Sequence, residues 1–237
     1  MNLEKVVLTA IGLLVALSSF STHALEKTPP NIVVLFSDQH RMASFPGEPH
    51  TSVIAPNMDR LGQQGARFQN AISNYPVCSP FRGMLLTGLA PYHTGVIDNS
   101  EPMKDPKATM AHRFQLAGYH TGYIGKWHLQ FETKTHLIPF GFDESRRWAN
   151  SGNHFDSRYW HPDQEKWIDS KEYNAFAMAD QAAEFIERNQ EKPFLLYVSF
   201  NPPHSNFYDA PEKNRTHFEG RQLKLRPNVR AMIDQYK

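Results

Sequence analysis

The stretch Asn31–Ser37, NIVVLFS, decides the fold class of this chain because it is apolar at nearly every position. A strand with one solvent-facing side alternates apolar and polar residues, whereas a continuous apolar run is typical of a strand covered on both faces. Pro193–Phe200 (PFLLYVSF) repeats the pattern, and Tyr119–Ile124 (YHTGYI) is a weaker example. The sequence therefore predicts three buried strands.

Helical patterns separate these strands. Pro56–Gln64 and Ala111–Ala117 are each followed by a glycine, and Asn174–Asn189 has apolar residues at helical spacing. Asn174 is a residue type that caps helices, and Pro193 follows the predicted end. Strands that alternate with helices predict an α/β fold.

The segment Phe142–Tyr173 shows neither pattern. It contains Trp148, Trp160 and Trp167 among many polar residues, with little periodicity. The sequence predicts a long irregular excursion, and two interpretations of it stay open. Such loops often bind ligands, but this one is equally consistent with a structural loop that its tryptophans hold in place.

The first 24 residues have the pattern of a secretory signal peptide. Lys5 precedes the apolar run Val6–Phe20, and small residues lead to a cleavage site after Ala24. The run is shorter than a stable membrane span needs, although an uncleaved anchor is the alternative. We therefore expect an exported protein, periplasmic or secreted, with residues 25–237 forming one domain.

The charge balance argues against two classes of partner. The chain has 25 basic and 24 acidic residues, which gives a net charge of +1 with neutral histidines. Proteins that bind nucleic acid or anionic membranes by electrostatics have an excess of positive charge on one surface. The composition predicts neither partner for this chain.

Polar side chains follow each predicted strand. Asp38 and Gln39 follow the first strand, Lys126 and His128 the second, and His204 the third. Ligands of open α/β sheets bind outside the carboxyl ends of the strands, so we expect these residues to share one crevice. The oxygen ligands suit calcium or magnesium, and the Lys and His, on one strand face, suit an anion and a proton. The alternative is ordinary solvated strand ends and turns.

Cys78 is the only cysteine in the chain. It is a buried inert thiol, a partner in an intermolecular disulfide, or a reactive centre. Ser79 can cap a helix that starts with Pro80 and ends near Gly88, which would place Cys78 just before a helix N-terminus with Arg82 nearby. That position suits an anionic substrate and a nucleophile.

These residues resemble the motifs of a known family. The stretch Cys78–Gly88 (CSPFRGMLLTG) looks like the signature of the type I, formylglycine-dependent sulfatases of the alkaline-phosphatase-like superfamily, and Gly125–Leu129 (GKWHL) resembles their second signature. LFSDQH resembles their metal-binding strand, and NPPHSNF resembles their histidine loop. The resemblance covers Pro30–Lys237 and only the N-terminal half of the family's catalytic region.

The resemblance implies a fold and a chemistry. The fold is a mostly parallel mixed sheet flanked by helices on both faces, incomplete at the C-terminus. A maturation enzyme converts Cys78 to Cα-formylglycine, and its hydrate attacks the sulfur of a sulfate ester. The metal site implied by the family comprises Asp38, Gln39 and residue 78, and it binds Ca²⁺ or, alternatively, Mg²⁺.

The same resemblance assigns roles to the remaining candidates. Arg82 and Lys126 neutralise negative charge around the aldehyde and the sulfate. His128 moves the proton of the hydrated aldehyde, and His204 protonates the leaving alcohol. Lys126 and His204 also bind the sulfate. The implied substrate is a sulfated small molecule or glycan, with a carbohydrate as the expected class.

Two departures from the family pattern define the alternatives. Phe81 replaces a small residue, although Cys78, Pro80 and Arg82 of the maturation signal are intact, and Gln39 replaces a second Asp. The metal ligands that the family has beyond its N-terminal half are not found after His204. The alternatives are a phosphate or phosphonate ester hydrolase, or an inactive truncated chain that at most binds sulfated glycans.

Overall fold

The computed structural model describes residues 29–47, 53–103, 109–129, 137–149 and 152–220. Almost all of these residues belong to one unit, Asn31–Lys237. The predicted signal peptide, residues 1–24, lies outside the described residues, so cleavage after Ala24 stays a prediction. No helix among the described residues is long and apolar enough to cross a membrane.

The described residues form one six-stranded sheet, whose strands are β1 Ile32–Ser37, β2 His120–Lys126, β3 Glu144–Trp148, β4 Ser157–His161, β5 Lys166–Ser170 and β6 Phe194–Phe200. Their order across the sheet is β1-β6-β2-β3-β4-β5. The first four strands in this order are parallel to one another, and β4 and β5 are antiparallel additions at one edge. This confirms the mostly parallel mixed sheet.

The helices confirm the predicted alternation with strands. They are α1 Pro56–Gln64, α2 Cys78–Thr87, α3 Pro91–Thr94, α4 Met110–Leu116, α5 Asn174–Asn189 and α6 Glu212–Thr216, with 3₁₀ turns at Met42–Ser44 and Ile138–Phe140. The prediction that Asn174 caps α5 is wrong, because Tyr173 occupies the cap position and Asn174 is the first helical residue. Its side chain is buried instead.

A separate apolar cluster covers each face of the sheet. On one face, Leu86 of α2 and Ala111 of α4 pack with Tyr123 and Tyr197 of the central strands. On the other face, α5 packs its buried residues against β2 and β6. Helices therefore cover both sides of the central strands, as the α/β prediction requires.

Strand β1 departs from the expectation that both of its faces are covered. Val34 and Phe36 pack against the first cluster, but Val33 and Leu35 are 42% and 63% exposed. β1 is the edge strand next to β6, and no described helix covers its second face. The continuous apolar run therefore predicted the strand correctly and its burial only in part.

The prediction of an irregular excursion at Phe142–Tyr173 is wrong, because this segment supplies β3, β4 and β5. Trp148 pairs with Tyr159 across β3 and β4, and Trp160 pairs with Trp167 across β4 and β5. Each of these strands has only five residues and includes charged side chains. Pairing between neighbouring strands, rather than apolar periodicity, stabilises such short strands.

Candidate active site

The carboxyl ends of β1, β2 and β6 meet at one edge of the sheet. Asp38 follows β1, Lys126 ends β2, and His204 lies four residues after β6. A carboxylate oxygen of Asp38, the sulfur of Cys78 and a ring nitrogen of His204 lie within 4.8 Å of one another. The expectation of a shared crevice is therefore met for Asp38 and His204, whereas Lys126 contacts Asp38 without lining the cavity beside it.

Asp38 is the centre of a buried ion network. It is 5% exposed, and its Oδ2 lies 2.5 Å from Nζ of Lys126 and 3.3 Å from Nη2 of Arg82. Burial by itself raises the pKa of Asp38, but the positive charges of Arg82 and Lys126 outweigh it and hold the pKa below its ordinary value. Asp38 is therefore ionised, and Oδ1 faces the sulfur of Cys78 at 3.8 Å.

The backbone around Lys126 explains the glycine before it. Gly125 has a φ of +115°, and a Cβ there would overlap the backbone carbonyl of Ser199 on the neighbouring strand. Only glycine permits this close approach. Arg82 bridges the two strands that approach here: its Nη1 donates to the carbonyl oxygen of Lys126 and to Oγ of Ser199, each at 2.7 Å.

Cys78 is the first residue of α2, rather than the residue before it. The prediction that Ser79 caps this helix is wrong, because Val77 occupies the cap position without a side-chain hydrogen bond. The hydroxyl of Ser79 instead donates to the carbonyl oxygen of His128 at 2.5 Å. The helix ends at Gly88, as predicted, in a left-handed conformation.

His128 lies two residues beyond the end of β2, so the argument that it shares a strand face with Lys126 is wrong. Its φ is +54°, a left-handed conformation that takes it out of the strand. Burial, together with the positive charges of Lys126 and Arg82, lowers the pKa of His128 to about 4. The imidazole is therefore neutral near pH 7 and able to accept a proton.

An open cavity of about 610 Å³ reaches part of this group, and neither Lys126 nor His128 is among its lining residues. Asp38, Gln39, Cys78 and His204 line it, together with Phe36, Phe81, Arg82, Asn99 and other residues of the same loops. The unusual Phe81 stacks on Phe36, with ring centroids 5.9 Å apart, and the Arg82 guanidinium lies over the Phe36 ring. Residue 81 therefore forms part of the apolar wall beside Cys78.

The donor set fits part of a hard-cation site. Oδ1 of Asp38 is not engaged by Lys126 or Arg82, and Gln39 lines the same cavity. Oxygen ligands of this kind suit Ca²⁺ or Mg²⁺, and Ca²⁺ takes about six to eight of them. Asp38 and Gln39 could supply two, and an anionic ligand would offset the neighbouring positive charges.

Comparison with known proteins decides the family. The model of the sulfatase family matches residues 30–236. The chain belongs to the sulfatase family. The resemblance found in the motifs of β1, α2, β2 and β6 is thereby confirmed over nearly all of the sequence.

Two curated sulfatases illustrate the relationship. An ulvan-active sulfatase of Formosa agariphila is 34% identical over 212 residues, which are 86% of this chain and 41% of that protein. An N-acetylglucosamine-6-O-sulfatase of Bacteroides thetaiotaomicron is 33% identical over 202 residues, with 83% and 35% covered. The chain thus spans well under half the length of these relatives.

Solved sulfatase structures confirm the fold. The structure of BT4656 in complex with its substrate D-glucosamine-2-N,6-O-disulfate aligns with a TM-score of 0.66 at 31% identity, over 75% of this chain and 35% of that one. A sulfatase-family structure from Bacteroides fragilis, YidJ, aligns with a TM-score of 0.75 at 28% identity, over 81% and 48%. Both alignments cover less than half of the matched protein.

Two residues of this sulfatase chain were not predicted from the sequence, although they tie the candidate site together. Oδ1 of Asn99 accepts a hydrogen bond from the backbone N–H of Ser79 at 2.9 Å, in the first turn of α2. Ser199 accepts from Arg82 in the middle of the ion network. Neither residue has a local sequence signal, because each acts on an element distant in the chain.

Replacing Asn99 with alanine is expected to lower the free energy of unfolding by about 0.5–2 kcal/mol, because a first-turn N–H of α2 loses its acceptor. Urea denaturation measures the change. Asn99→Asp is the matched control: it keeps an acceptor and adds a negative charge at a helix N-terminus, so it should be at least as stable as wild type. An alanine variant as stable as wild type would show that Asn99 does not cap α2.

Proposed function

We propose that this chain contributes the nucleophile and the sulfate-binding cations to the hydrolysis of a sulfate ester on a carbohydrate. The observation that carries the proposal is the approach of Cys78 to Asp38 and His204 at the open end of the sheet. The buried cations Arg82 and Lys126 lie directly behind this cluster. Such an arrangement is suited to an anionic group that reacts at residue 78.

The proposed nucleophile is Cα-formylglycine, formed from Cys78 by a formylglycine-generating enzyme. The intact maturation signal of Cys78, Pro80 and Arg82 supports this, as does the absence of any second cysteine. The converted residue supplies a hydrated aldehyde whose hydroxyl attacks sulfur and whose second hydroxyl permits release of sulfate. The partly buried Cys78 lines the open cavity, which gives substrate a route to it.

Two histidines are proposed to move protons. His128 is neutral near pH 7 because its pKa is about 4, so it can accept a proton from the attacking hydroxyl. His204 lines the cavity next to Cys78 and is proposed to donate a proton to the oxygen of the leaving alcohol. Lys126 and His204 would also bind the sulfate oxygens, and Arg82, which lines the cavity, would add a second positive charge.

A divalent cation, Ca²⁺ or Mg²⁺, is proposed at Asp38, Gln39 and residue 78. When bound, it would polarise the sulfate oxygens and stabilise the charge that develops on them. The family membership and the oxygen donors of the cavity support this proposal. Asp38 is the only carboxylate in the described group of Asp38, Cys78 and His204. The other ligands of the cation must therefore come from residues outside this group or from the substrate.

The proposed substrate class is sulfated carbohydrate. The relatives point to it, since the curated ones are named for ulvan and N-acetylglucosamine-6-O-sulfate, and BT4656 binds D-glucosamine-2-N,6-O-disulfate. We further propose export to the periplasm or medium, which would allow access to such polymers. This part rests on the signal-peptide pattern of residues 1–24 alone.

The chain, produced together with a formylglycine-generating enzyme and supplied with Ca²⁺, is expected to release sulfate from an aryl sulfate faster than phosphate from the matched aryl phosphate. The direction is expected from the family of the chain. Lys126 and Arg82 would stabilise an anionic transition state of either ester, so their charge alone does not set the preference. Colorimetric release of the same phenol measures both rates. Faster phosphate turnover would favour the phosphoester alternative.

A chain that turns over neither ester would favour the second alternative, an inactive chain that binds sulfated glycans. One observation on the described residues favours this candidate: the group of Asp38, Cys78 and His204 contains a single carboxylate, whereas Ca²⁺ takes about six to eight oxygen ligands. Calorimetric titration with a sulfated oligosaccharide and with its desulfated form would then separate binding from inertness.

A further inference from the structure

Besides the proposed catalytic groups, one buried histidine contacts the loop of His204 directly. His154 is 2% exposed and lies between β3 and β4, in the segment whose sequence gave no clear pattern. Its Nε2 lies 2.9 Å from the carbonyl oxygen of His204, fifty residues along the chain. We infer that His154 is a positioning residue that fixes the His204 peptide, and with it the direction of the His204 ring. The inference rests on the proposed function, in which His204 donates the proton to the leaving alcohol.

The hydrogen bonds of His154 require one tautomer. A carbonyl oxygen only accepts, so Nε2 of His154 must carry the proton that it donates to His204. In a neutral imidazole Nδ1 is then an acceptor, and the side-chain amide nitrogen of Asn174 lies 3.4 Å from it. The backbone N–H of Asn174 also donates to the carbonyl oxygen of His154. The ring is therefore anchored to the start of α5 and aimed at the His204 loop.

Three further contacts make this anchor rigid. The backbone N–H of His154 donates to the carboxylate of Asp209 at 2.5 Å, and the ring packs edge-on against Tyr173 at 5.9 Å. The carbonyl oxygen of Gly152 accepts from the N–H of Asn206 at 3.1 Å. The segment 152–154 thus contacts the His204 loop at the carbonyl group of His204 itself and at Asn206 and Asp209, which follow it in the chain.

The position of His204 depends on His154 because the other hydrogen bonds of His204 are made to residues of its own loop. Its ring Nδ1 contacts the carbonyl oxygen of Ser205, the next residue, and its N–H bonds the carbonyl oxygen of Asn201 in the same loop. The bond to Asn201 ties the N–H side of His204 to the sheet, because Asn201 directly follows β6 and its side chain donates to the carbonyl oxygen of Ala149. Neither bond holds the carbonyl side of His204. His154 supplies a side-chain bond from outside the loop, so its loss would let the proton donor drift from the substrate oxygen. Misplacement of about 1 Å can cost about 100-fold in rate.

Two variants of His154 separate this role from general stability. In His154→Gln the amide nitrogen lies near the position of Nε2 and can still donate to the His204 carbonyl. In His154→Asn the shorter amide reaches the position of Nδ1, keeps a partner for Asn174 and falls short of His204. Both are polar and similar in size to histidine, so thermal unfolding should show comparable losses for the two.

The leaving group gives the kinetic readout. An activated aryl sulfate releases a stable phenolate and needs little protonation, whereas a sugar sulfate releases a basic alkoxide and needs the acid. We expect His154→Asn to lower kcat on 6-sulfated N-acetylglucosamine by about 10–100-fold and on the aryl sulfate by no more than a few-fold. His154→Gln should recover most of the kcat on the sugar. Equal losses on both substrates in both variants would overturn the inference.

A second measurement decides the inference even if the chain turns over no ester, a result that would count against the proposed function. Long-range ¹H–¹⁵N correlation on histidine-labelled protein at pH 7.5 reports the tautomer of each ring, with His154 and His204 assigned from His154→Gln and His204→Gln. We expect His154 as the Nε2–H form, and His204 ring shifts that move in His154→Asn but little in His154→Gln. An Nδ1–H tautomer for His154, or His204 shifts unaffected by the asparagine variant, would overturn it.

Discussion

Cys78→Ala is expected to abolish sulfate release, with a loss of at least about 10⁴-fold in kcat, because it removes the side chain from which the proposed nucleophile forms. Asp38, whose Oδ1 lies 3.8 Å from the sulfur, is not expected to take over this role, because it is ion-paired with Lys126 and Arg82. Sulfate released from an aryl sulfate, measured with the co-produced maturation enzyme, gives the rate. Retained activity would contradict the assignment of residue 78.

The chemical state of residue 78 is the companion measurement. Trypsin should release Phe68–Arg82, and conversion of the thiol to an aldehyde lowers the mass of this peptide. Only unmodified cysteine in an active preparation would contradict the formylglycine nucleophile.

Phe81→Ser is the control within the same motif. It keeps Cys78, Pro80 and Arg82 and removes the ring that stacks on Phe36. We expect the peptide of this variant still to show conversion, and the fold to lose some stability because the aromatic pair is gone. If Phe81→Ser blocks conversion, the unusual residue is itself part of the maturation signal in this chain.

The elements that the sequence predicts well are those whose signal is local. The helices at Pro56–Gln64 and Asn174–Asn189 have the bounds that the apolar spacing and the flanking glycine or proline predict. The apolar run of Pro193–Phe200 matches β6 within one residue. β3 to β5 were missed because their strands are short, carry charges and depend on cross-strand partners that no single segment reveals.

The difference between local signals and long-range contacts also explains which residues of the candidate site can be predicted from the sequence. The strand-end rule places Asp38, Lys126 and His204 at one edge because parallel strands share a direction, which a sequence pattern can indicate. Ser79 and His154 were not predicted as positioning residues, since each bonds a backbone carbonyl 49 or 50 residues away. Every residue has a backbone carbonyl oxygen, so the sequence does not indicate that those of His128 and His204 accept these hydrogen bonds.

Asp38→Asn is expected to lower the free energy of unfolding by about 3–5 kcal/mol, besides weakening the proposed cation site. The substitution keeps the shape of the side chain but leaves Lys126 and Arg82 as buried charges, 3% and 4% exposed, without their counter-ion. Urea denaturation near pH 7 measures the change. A loss within about 0.5 kcal/mol, the scale of surface substitutions, would show that the network is not buried in solution.

The pH dependence of the same variant gives a second, independent expectation. Because Arg82 and Lys126 hold the pKa of Asp38 below its ordinary value of 3.8, the stabilisation is fully present above pH 3.8 and is lost as the pH falls through the lower, folded-state pKa. Asp38→Asn removes this titration, so its stability should fall less steeply in acid than that of wild type. An unchanged acid slope would mean that other carboxyl groups govern it.

Lys126→Met, Asp38→Asn and the variant that carries both form a double-mutant cycle. Alone it removes one cation and leaves Asp38 paired with Arg82, so its cost should be smaller than that of Asp38→Asn. In the double variant the unpaired ammonium is absent, so we expect about 0.5–3 kcal/mol of the Asp38→Asn loss to be recovered. Strictly additive losses would contradict a direct Asp38–Lys126 pair. Recovery of stability without recovery of sulfate release would separate the folding role of the network from its proposed role in binding the anion.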